Sequence, residues 1–267
     1  MKELSLQEVK EIELGLLKKF DVFCKENGIR YFLSNGTLLG AVKYKGFIPW
    51  DDDIDVLVPR EDYQKLISLF CDDEKFKLFS FEREREFRFP FAKLCDMRTR
   101  KIEENTDNGT FLGVDIDVFP LDCWDSNLKK AEDEVKHIRR CMLFLSWTKS
   151  VKVYSNNLFK RTAKAILVGA SKLLGSSHFV KKIIKQSCRE SQKDHLYLGC
   201  KSWPIYGPRE IIPAEVFSDT VDIAFEGHLF PAPIGYDVYL RSLYGNYKQD
   251  PPVDKQKTHH RFVAYLM

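Results

Sequence analysis

Nowhere does this sequence run apolar for the roughly 20 residues that a bilayer-crossing helix needs, so no membrane span is expected. Its first residues, Met1-Lys2-Glu3-Leu4-Ser5-Leu6-Gln7-Glu8, lack the apolar stretch of a secretory leader. The seven cysteines (Cys24, Cys71, Cys95, Cys123, Cys141, Cys188, Cys200) are odd in number, scattered and free of any Cys-x-x-Cys pair. That argues against a disulfide framework and against structural zinc. Together these absences predict a chain made and kept in a reducing cytoplasm. Internal repeats and low-complexity tracts are also missing.

What is present is ordinary globular material, with 44% hydrophobic, 30% charged and 13% aromatic residues. A length of 267 residues suits one large domain, or a core with a helical addition. The net charge of +3 hides a segregation. Residues 149–193 hold nine lysines, two arginines and one acid, Glu190, for a net +10, which leaves −7 for the remainder. An acidic core and a basic insertion are expected to meet different partners.

Ser5-x-x-Glu8 is a capping box before a helix with Val9, Ile12, Leu16, Leu17, Phe20 and Phe23 at helical spacing, closed by Gly28. Residues 29–33 read as a strand. Ser34-Asn35-Gly36-Thr37 reads as a turn into a short helix, and residues 54–58 as a second strand. A helix is expected over 60–70, and strands over 76–81 and 91–95. Residues 113–119 alternate Val114, Ile116 and Val118 with Asp115 and Asp117, and Pro120 is expected to close that strand. From 126 to about 191 the pattern is helical, with breaks near Ser155-Asn156-Asn157 and Gly175-Ser176-Ser177. A hairpin turning at Glu226-Gly227 and a helix over 236–244 ending at Gly245 follow.

Four carboxylates fall within five residues in Asp51-Asp52-Asp53-Ile54-Asp55, and apolar strand formers follow at once. Asp53 and Asp55 are two apart, so on a strand they project from one face. Paired carboxylates at that distance repel unless a proton or cation neutralises them. Their hard oxygens suit Mg²⁺, Mn²⁺ or Ca²⁺ rather than zinc. The plainer reading is a solvated acidic turn leading into a strand.

The order of helix, strand, Gly36-Thr37 turn, helix, Asp53-x-Asp55 strand and later acidic strand resembles the polymerase beta type of nucleotidyltransferase fold. In that fold a small-residue turn starts a helix whose amides meet phosphate. Longer words resemble the LicD family: Ser34-Asn35-Gly36-Thr37-Leu38-Leu39-Gly40-Ala41-Val42; Gly46-Phe47-Ile48-Pro49-Trp50 running into the acids; Lys93-Leu94-Cys95-Asp96; Ile116-Asp117-Val118-Phe119-Pro120-Leu121-Asp122; and Tyr244-Gly245-Asn246-Tyr247 with Pro251-Pro252 and His259-His260. Fukutin and the fukutin-related protein are distant relatives that move other phospho-alcohols.

The resemblance implies an α+β core with a mixed sheet and an inserted helical bundle. Residues 1–125 would be the catalytic core, 126–200 the basic helical insertion, and 201–267 a segment completing the core and substrate site. It implies Mg²⁺-dependent transfer of phosphocholine from CDP-choline to a sugar hydroxyl of a cell-surface glycan precursor of the teichoic acid type, with CMP released. Asp53, Asp55 and Asp117 would hold a pair of Mg²⁺ ions, with Mn²⁺ as a substitute. Asp115 is the alternative on the same strand, while Asp51 and Asp52 either lie outside the ligand set or cap the turn. Either Asp117 or His260 would receive the acceptor's proton. Gly36, Thr37, Lys43, Lys45, Lys93, Trp50 and His259 would bind substrate. For the lysines the competing reading is ordinary surface charge.

A quaternary ammonium calls for aromatic faces, and Tyr44, Trp50, Phe119, Trp203, Tyr206, Tyr236 and Tyr244 are candidates, although most aromatics are core. The basic helices could rest on an anionic membrane at its cytoplasmic face, or be a solvated face over a core. A lipid-linked glycan is the expected acceptor, and nucleic acid is not an expected partner. Transfer of a different phospho-alcohol or a sugar phosphate stays open. A calcium-binding loop is a rival from another class, with Asp51, Asp53, Asp55 and Asp62 at positions 1, 3, 5 and 12, but its glycine position is Val56. A glycosyltransferase using Asp-x-Asp would need a nucleotide-binding sheet before the motif, and only about 50 residues precede it.

Overall fold

Residues 1–103, 112–149, 158–188, 195–258 and 262–267 are described by a computed structural model. In chain order the elements are β1 (Lys2–Glu3), α1 (Leu6–Asn27), β2 (Phe32–Leu33), α2 (Asn35–Tyr44), β3 (Asp55–Pro59), α3 (Arg60–Leu69), β4 (Phe76–Phe79), β5 (Ala92–Asp96), β6 (Thr99–Glu103) and β7 (Val114–Cys123). There follow α4 (Leu128–Trp147), α5 (Leu158–Leu174), α6 (Ser176–Ser187), β8 (Tyr197–Gly199), β9 (Ile212–Pro213), β10 (Thr220–Phe225), β11 (His228–Pro233), α7 (Tyr236–Tyr244) and β12 (Phe262–Leu266). The fold is therefore α+β around a mixed sheet of order β2-β3-β7-β5-β4, with β8 and β9 extending from the end of β7. Among the described residues, only the β3–β7 pair in it is parallel.

The capping box forms as expected. The Ser5 amide donates to Glu8 Oε2 at 2.8 Å, and Gly28 closes α1 in the left-handed region at φ 58°. Leu16, Leu17 and Phe20 turn inward to join Leu57, Leu94, Ile116 and Val118 in one core. The hairpin of β10 and β11 turns through Glu226 at φ 48° and Gly227 at φ 74°, two left-handed residues in a row, which matches the twist of the flanking strands.

Strand β7 does not stop at Pro120 but runs on to Cys123. The Asp117 amide donates to the oxygen of Ile54, the residue before β3, so the amides of alternate residues, Pro120's position among them, point to the other side. On that side β5 ends opposite Val118 and β8 begins opposite Asp122, so no ladder bond is lost at Pro120. Of the two acids on β7, Asp115 is buried and Asp117 is partly exposed. A second sheet of order β1-β12-β6 joins both ends of the chain and has no counterpart in the sequence reading. Its pairing partners are separated by most of the chain, which a local pattern cannot register.

Helices α4 and α6 share a smaller core of Trp124, Val135, Ile138, Phe179, Val180 and Ile183. Lys201, fully buried, ties it to the sheet by donating to Cys123 O at 3.0 Å and pairing with Glu134 at 2.8 Å. The break at Gly175 separates α5 from α6, while the one near Asn156 lies outside the described residues. Arg60, at the start of α3, grips Asp122 with two bonds of 2.7 and 2.6 Å, both residues being buried. Asp122→Ala would strand the guanidinium charge and is expected to lower stability by about 3–5 kcal/mol. A urea-unfolding midpoint indistinguishable from wild type would refute this.

Candidate active site

Parallel pairing of β3 with β7 sets Asp55 directly opposite Asp117. Their side chains leave the sheet on one face, from strands roughly 4.8 Å apart. The start of β3 is pinned by α2, where Thr37 Oγ1 accepts the Asp55 amide at 2.8 Å. Asn35 stands in the left-handed region at φ 44°. Tyr239 holds it there: the Asn35 amide donates to the tyrosine oxygen at 3.3 Å, and the hydroxyl donates to Asn35 Oδ1 at 3.0 Å. The amide nitrogen of the Asn35 side chain is then left to donate to the Asp55 carboxylate.

The loop before β3 folds back over α2. A Cβ at Gly40 would meet Gly46 O at 2.4 Å, and one at Gly36 would meet Asp51 Oδ2 at 2.5 Å, so both glycines permit this close approach. Carboxylate oxygens of Asp51, Asp52 and Asp53 lie within 4.8 Å of one another. Asp52 is buried and accepts the Thr258 hydroxyl at 2.6 Å, which draws the C-terminal segment to the loop.

The electrostatics separate the two acids of β7. Lys93 on β5 donates to Asp115 at 2.6 Å and also to Asp117, and Lys101 on β6 donates to Asp115 at 3.0 Å. Burial alone would push Asp115 up, but Lys101 and Lys93 hold it well below the usual carboxylate range. Burial outweighs Lys93 at Asp117, and with Asp115 close by the carboxyl is raised to about 6. Asp55 is pushed well above its ordinary value by burial, then by Asp53 and Asp117. Glu13 of α1 is buried with neither carboxyl oxygen hydrogen-bonded. Burial raises it strongly, Lys101 offsets part of that, and Asp53, Asp115 and Asp52 add to it. Hard-oxygen donors crowded around the raised Asp55 and Asp117 fit a divalent cation such as Mg²⁺ or Mn²⁺.

Asp51, Asp53 and Asp55 open into a cleft of about 610 Å³ with Gly36, Lys43 and Lys255 on its wall. Its remaining wall is largely aromatic: Tyr44 and Trp50 meet edge to face at 6.3 Å, and the hydroxyls of Tyr206 and Tyr244 are 2.8 Å apart. Behind Tyr206, buried Glu210 accepts the backbone amides of Tyr206 and Cys200, and burial raises its carboxyl to about 8.

Of the residues singled out from sequence, Gly36, Lys43, Trp50, Asp53 and Asp55 line the cleft, and Asp117 stands beside Asp55. Thr37 instead anchors β3, and Lys93 is committed to Asp115 and Asp117. Lys45 caps α2 and is exposed outside the cleft lining, while Lys43 reaches Asp250. Among the aromatics, Phe119 and Trp203 pack on Phe91, and Tyr236 packs against the core. His259 and His260 lie outside the described residues. The calcium-loop reading fails, because Val56 lies in β3 and Asp62 pairs with Arg30 at 3.2 Å on α3. Asn35, Tyr239, Glu13, Lys101 and Thr258 had no role assigned from sequence. Asn35 sits inside a recognised word and was the one with a signal to find.

Residues 28–159 match the family described as LicD/FKTN/FKRP, nucleotidyltransferase domain. Over 272 aligned positions the chain is 31% identical to the lipopolysaccharide cholinephosphotransferase LicD of Haemophilus influenzae, covering 100% of each protein. It is 30% identical over 105 residues to an uncharacterised protein of Rickettsia typhi, 32% of this chain and 34% of that one. It is also 31% identical over 109 residues to mannosyltransferase regulator 4 of Saccharomyces cerevisiae, 39% of this chain and 9% of that one.

Two consequences can be measured. Between its ordinary value of 4.5 and about 8, Glu210 keeps a proton when folded that the unfolded chain has released. The stability this supplies is full below 4.5 and is lost as pH rises to about 8. Glu210→Gln should lack that loss, so its urea midpoint should gain on wild type between about pH 5 and pH 8, by roughly 3–5 kcal/mol in unfolding free energy. Parallel pH profiles for the two proteins would overturn it. Asp55→Asn should raise the unfolding free energy of the cation-free protein by on the order of 1 kcal/mol, because it relieves buried like charge. It should also abolish thermal stabilisation by added Mg²⁺. A variant still stabilised by Mg²⁺ would remove Asp55 from the site.

Proposed function

The chain belongs to the LicD family, and from that premise we propose that it transfers phosphocholine from CDP-choline to a sugar hydroxyl of a cell-surface glycan precursor of the teichoic acid type. The observation that carries the reading is the in-register Asp55–Asp117 pair beside an aromatic cleft that Asp53 also enters. Asp53, Asp55 and Asp117 would hold a pair of Mg²⁺ ions. Bound there, Mg²⁺ would neutralise diphosphate charge and help align the acceptor oxygen. Lys43 and Lys255 on the cleft wall add positive charge for the same diphosphate. Tyr44, Trp50, Tyr206 and Tyr244 offer ring faces to a quaternary ammonium, which can donate no hydrogen bond.

In the reaction the acceptor oxygen forms a bond to the phosphorus that carries choline. The bond from that phosphorus to the bridging oxygen breaks, and CMP leaves. The acceptor's proton passes to Asp117 or to His260, and the pH–rate profile of His260→Ala separates the two. Lys93 keeps Asp117 oriented through its bond and, with Lys101, withdraws Asp115 from the ligand set.

The polymerase beta type of core over residues 1–125 and 201–267, interrupted by a helical insertion over 126–200, is part of the same proposal. So is a cytoplasmic location with a lipid-linked acceptor at the membrane surface. Among the described residues no helix is long and apolar enough to cross a membrane.

The deciding experiment incubates purified protein with a panel of CDP-alcohols and Mg²⁺, with and without lipid-linked glycan. CMP should appear with CDP-choline and should vanish with EDTA. Pyrophosphate release, or a nucleotidylated product, would sink the reading, and preference for another CDP-alcohol would change the head group. Asp117→Asn should lower turnover by about 10²–10³-fold with little loss of stability. Asp115→Asn should instead mainly destabilise, because it leaves Lys93 and Lys101 short of a partner. The reverse allocation would mean that Asp115 is the working acid.

A further inference from the structure

Helices α5 and α6 are both amphipathic, yet they face opposite ways. On α6, Phe179, Val180 and Ile183 are buried and Lys181, Lys182 and Lys185 are exposed, the arrangement of a solvated helix over a core. On α5 the order is inverted. Val168 and Ser171 are buried, and the Ser171 hydroxyl donates to Leu167 O at 2.8 Å within its own helix. Ile166 is 72% exposed, Leu167 45%, Leu173 91% and Leu174 54%. At 100° per residue these four, with Ala165, Gly169 and Ala170, occupy one continuous arc, and exposed Lys172 stands at its edge. A soluble surface seldom leaves such a face uncovered.

We infer that this face of α5 seats in the interface of an anionic lipid bilayer, lying along the surface rather than crossing it. The surrounding charge selects that occupant. The net +10 of residues 149–193 attracts anionic headgroups, and three of those charges are the exposed lysines of the neighbouring helix α6. A second copy of the chain would set one +10 segment against another. The inference stands on the helix face and not on the phosphocholine reading, so it is tested without donor or acceptor.

The full-length protein is floated with phosphatidylglycerol vesicles and with phosphatidylcholine vesicles. It should rise with the first at low salt, weakly at high salt, and not with the second. Ile166→Ser with Leu173→Ser should lower the partition coefficient by about tenfold or more while leaving thermal stability unchanged, since both side chains are already in water. In a separate variant, Leu173→Trp, the emission should shift to the blue on adding phosphatidylglycerol vesicles, whereas wild type should shift less. No flotation, or flotation untouched by the double serine variant, would overturn the inference. So would an emission of the Leu173→Trp variant that the vesicles leave unshifted. A lipid-free dimer that the serine variant converts to monomer would assign the face to a second copy, and a fall in its thermal stability would show the two side chains packed within the fold.

Discussion

Two parallel strands joined in register create the central problem of this molecule. Pairing β3 with β7 sets Asp55 against Asp117, and the loop before β3 adds Asp51, Asp52 and Asp53. Carboxylates held that close in a partly dry site oppose one another's ionisation, and the site keeps them there at a cost in stability. The rest of the fold can be read as the apparatus that tolerates this crowding and gives it a use.

Part of the apparatus is a division of charge. Lys93 and Lys101 arrive from β5 and β6 and satisfy Asp115, while Lys93 touches Asp117 without fully compensating its burial. One acid becomes a structural ion-pair partner, and the other, two residues on, stays beside Asp55. The remaining part is positional. Thr37 and Asn35, both on α2, hold β3 and its carboxylate, and Tyr239 of α7 fixes Asn35 in a backbone conformation it would otherwise adopt at some cost. The same helix α7 ends in Tyr244, which helps wall the cleft, so the support of the acids and the shape of the pocket are coupled.

Beyond the sheet, the helices form a body of different character. Their own core joins the sheet through buried Trp124 and Lys201. Their surface is basic where the sheet's site is acidic, and α5 carries its apolar side outward. An acidic reaction centre that would collect divalent cations and a basic, apolar surface that would collect lipid are thus kept on separate elements of one chain.

Much of this could be read along the sequence because it is local. The capping box of Ser5 and Glu8, the Glu226-Gly227 turn and the helical period of 236–244 each depend on residues a few positions apart, whereas Asp53, expected on the strand with Asp55, lies in the loop before β3. The alternation of residues 113–119 was equally plain, but spacing by two places Asp115 and Asp117 on the same face and treats them alike. The register of β3 on β7 puts Asp117 beside Asp55, while Lys93 and Lys101, delivered by other strands, take up Asp115. The partnership of Asn35 with Tyr239 spans 204 residues, and the sheet of β1, β12 and β6 unites opposite ends of the chain. Likewise the period of α5 announces an apolar face but cannot say whether the body of the protein lies on that side or the other. Periodicity is a property of one element, whereas burial belongs to whatever packs against it, and only the tertiary structure supplies that neighbour.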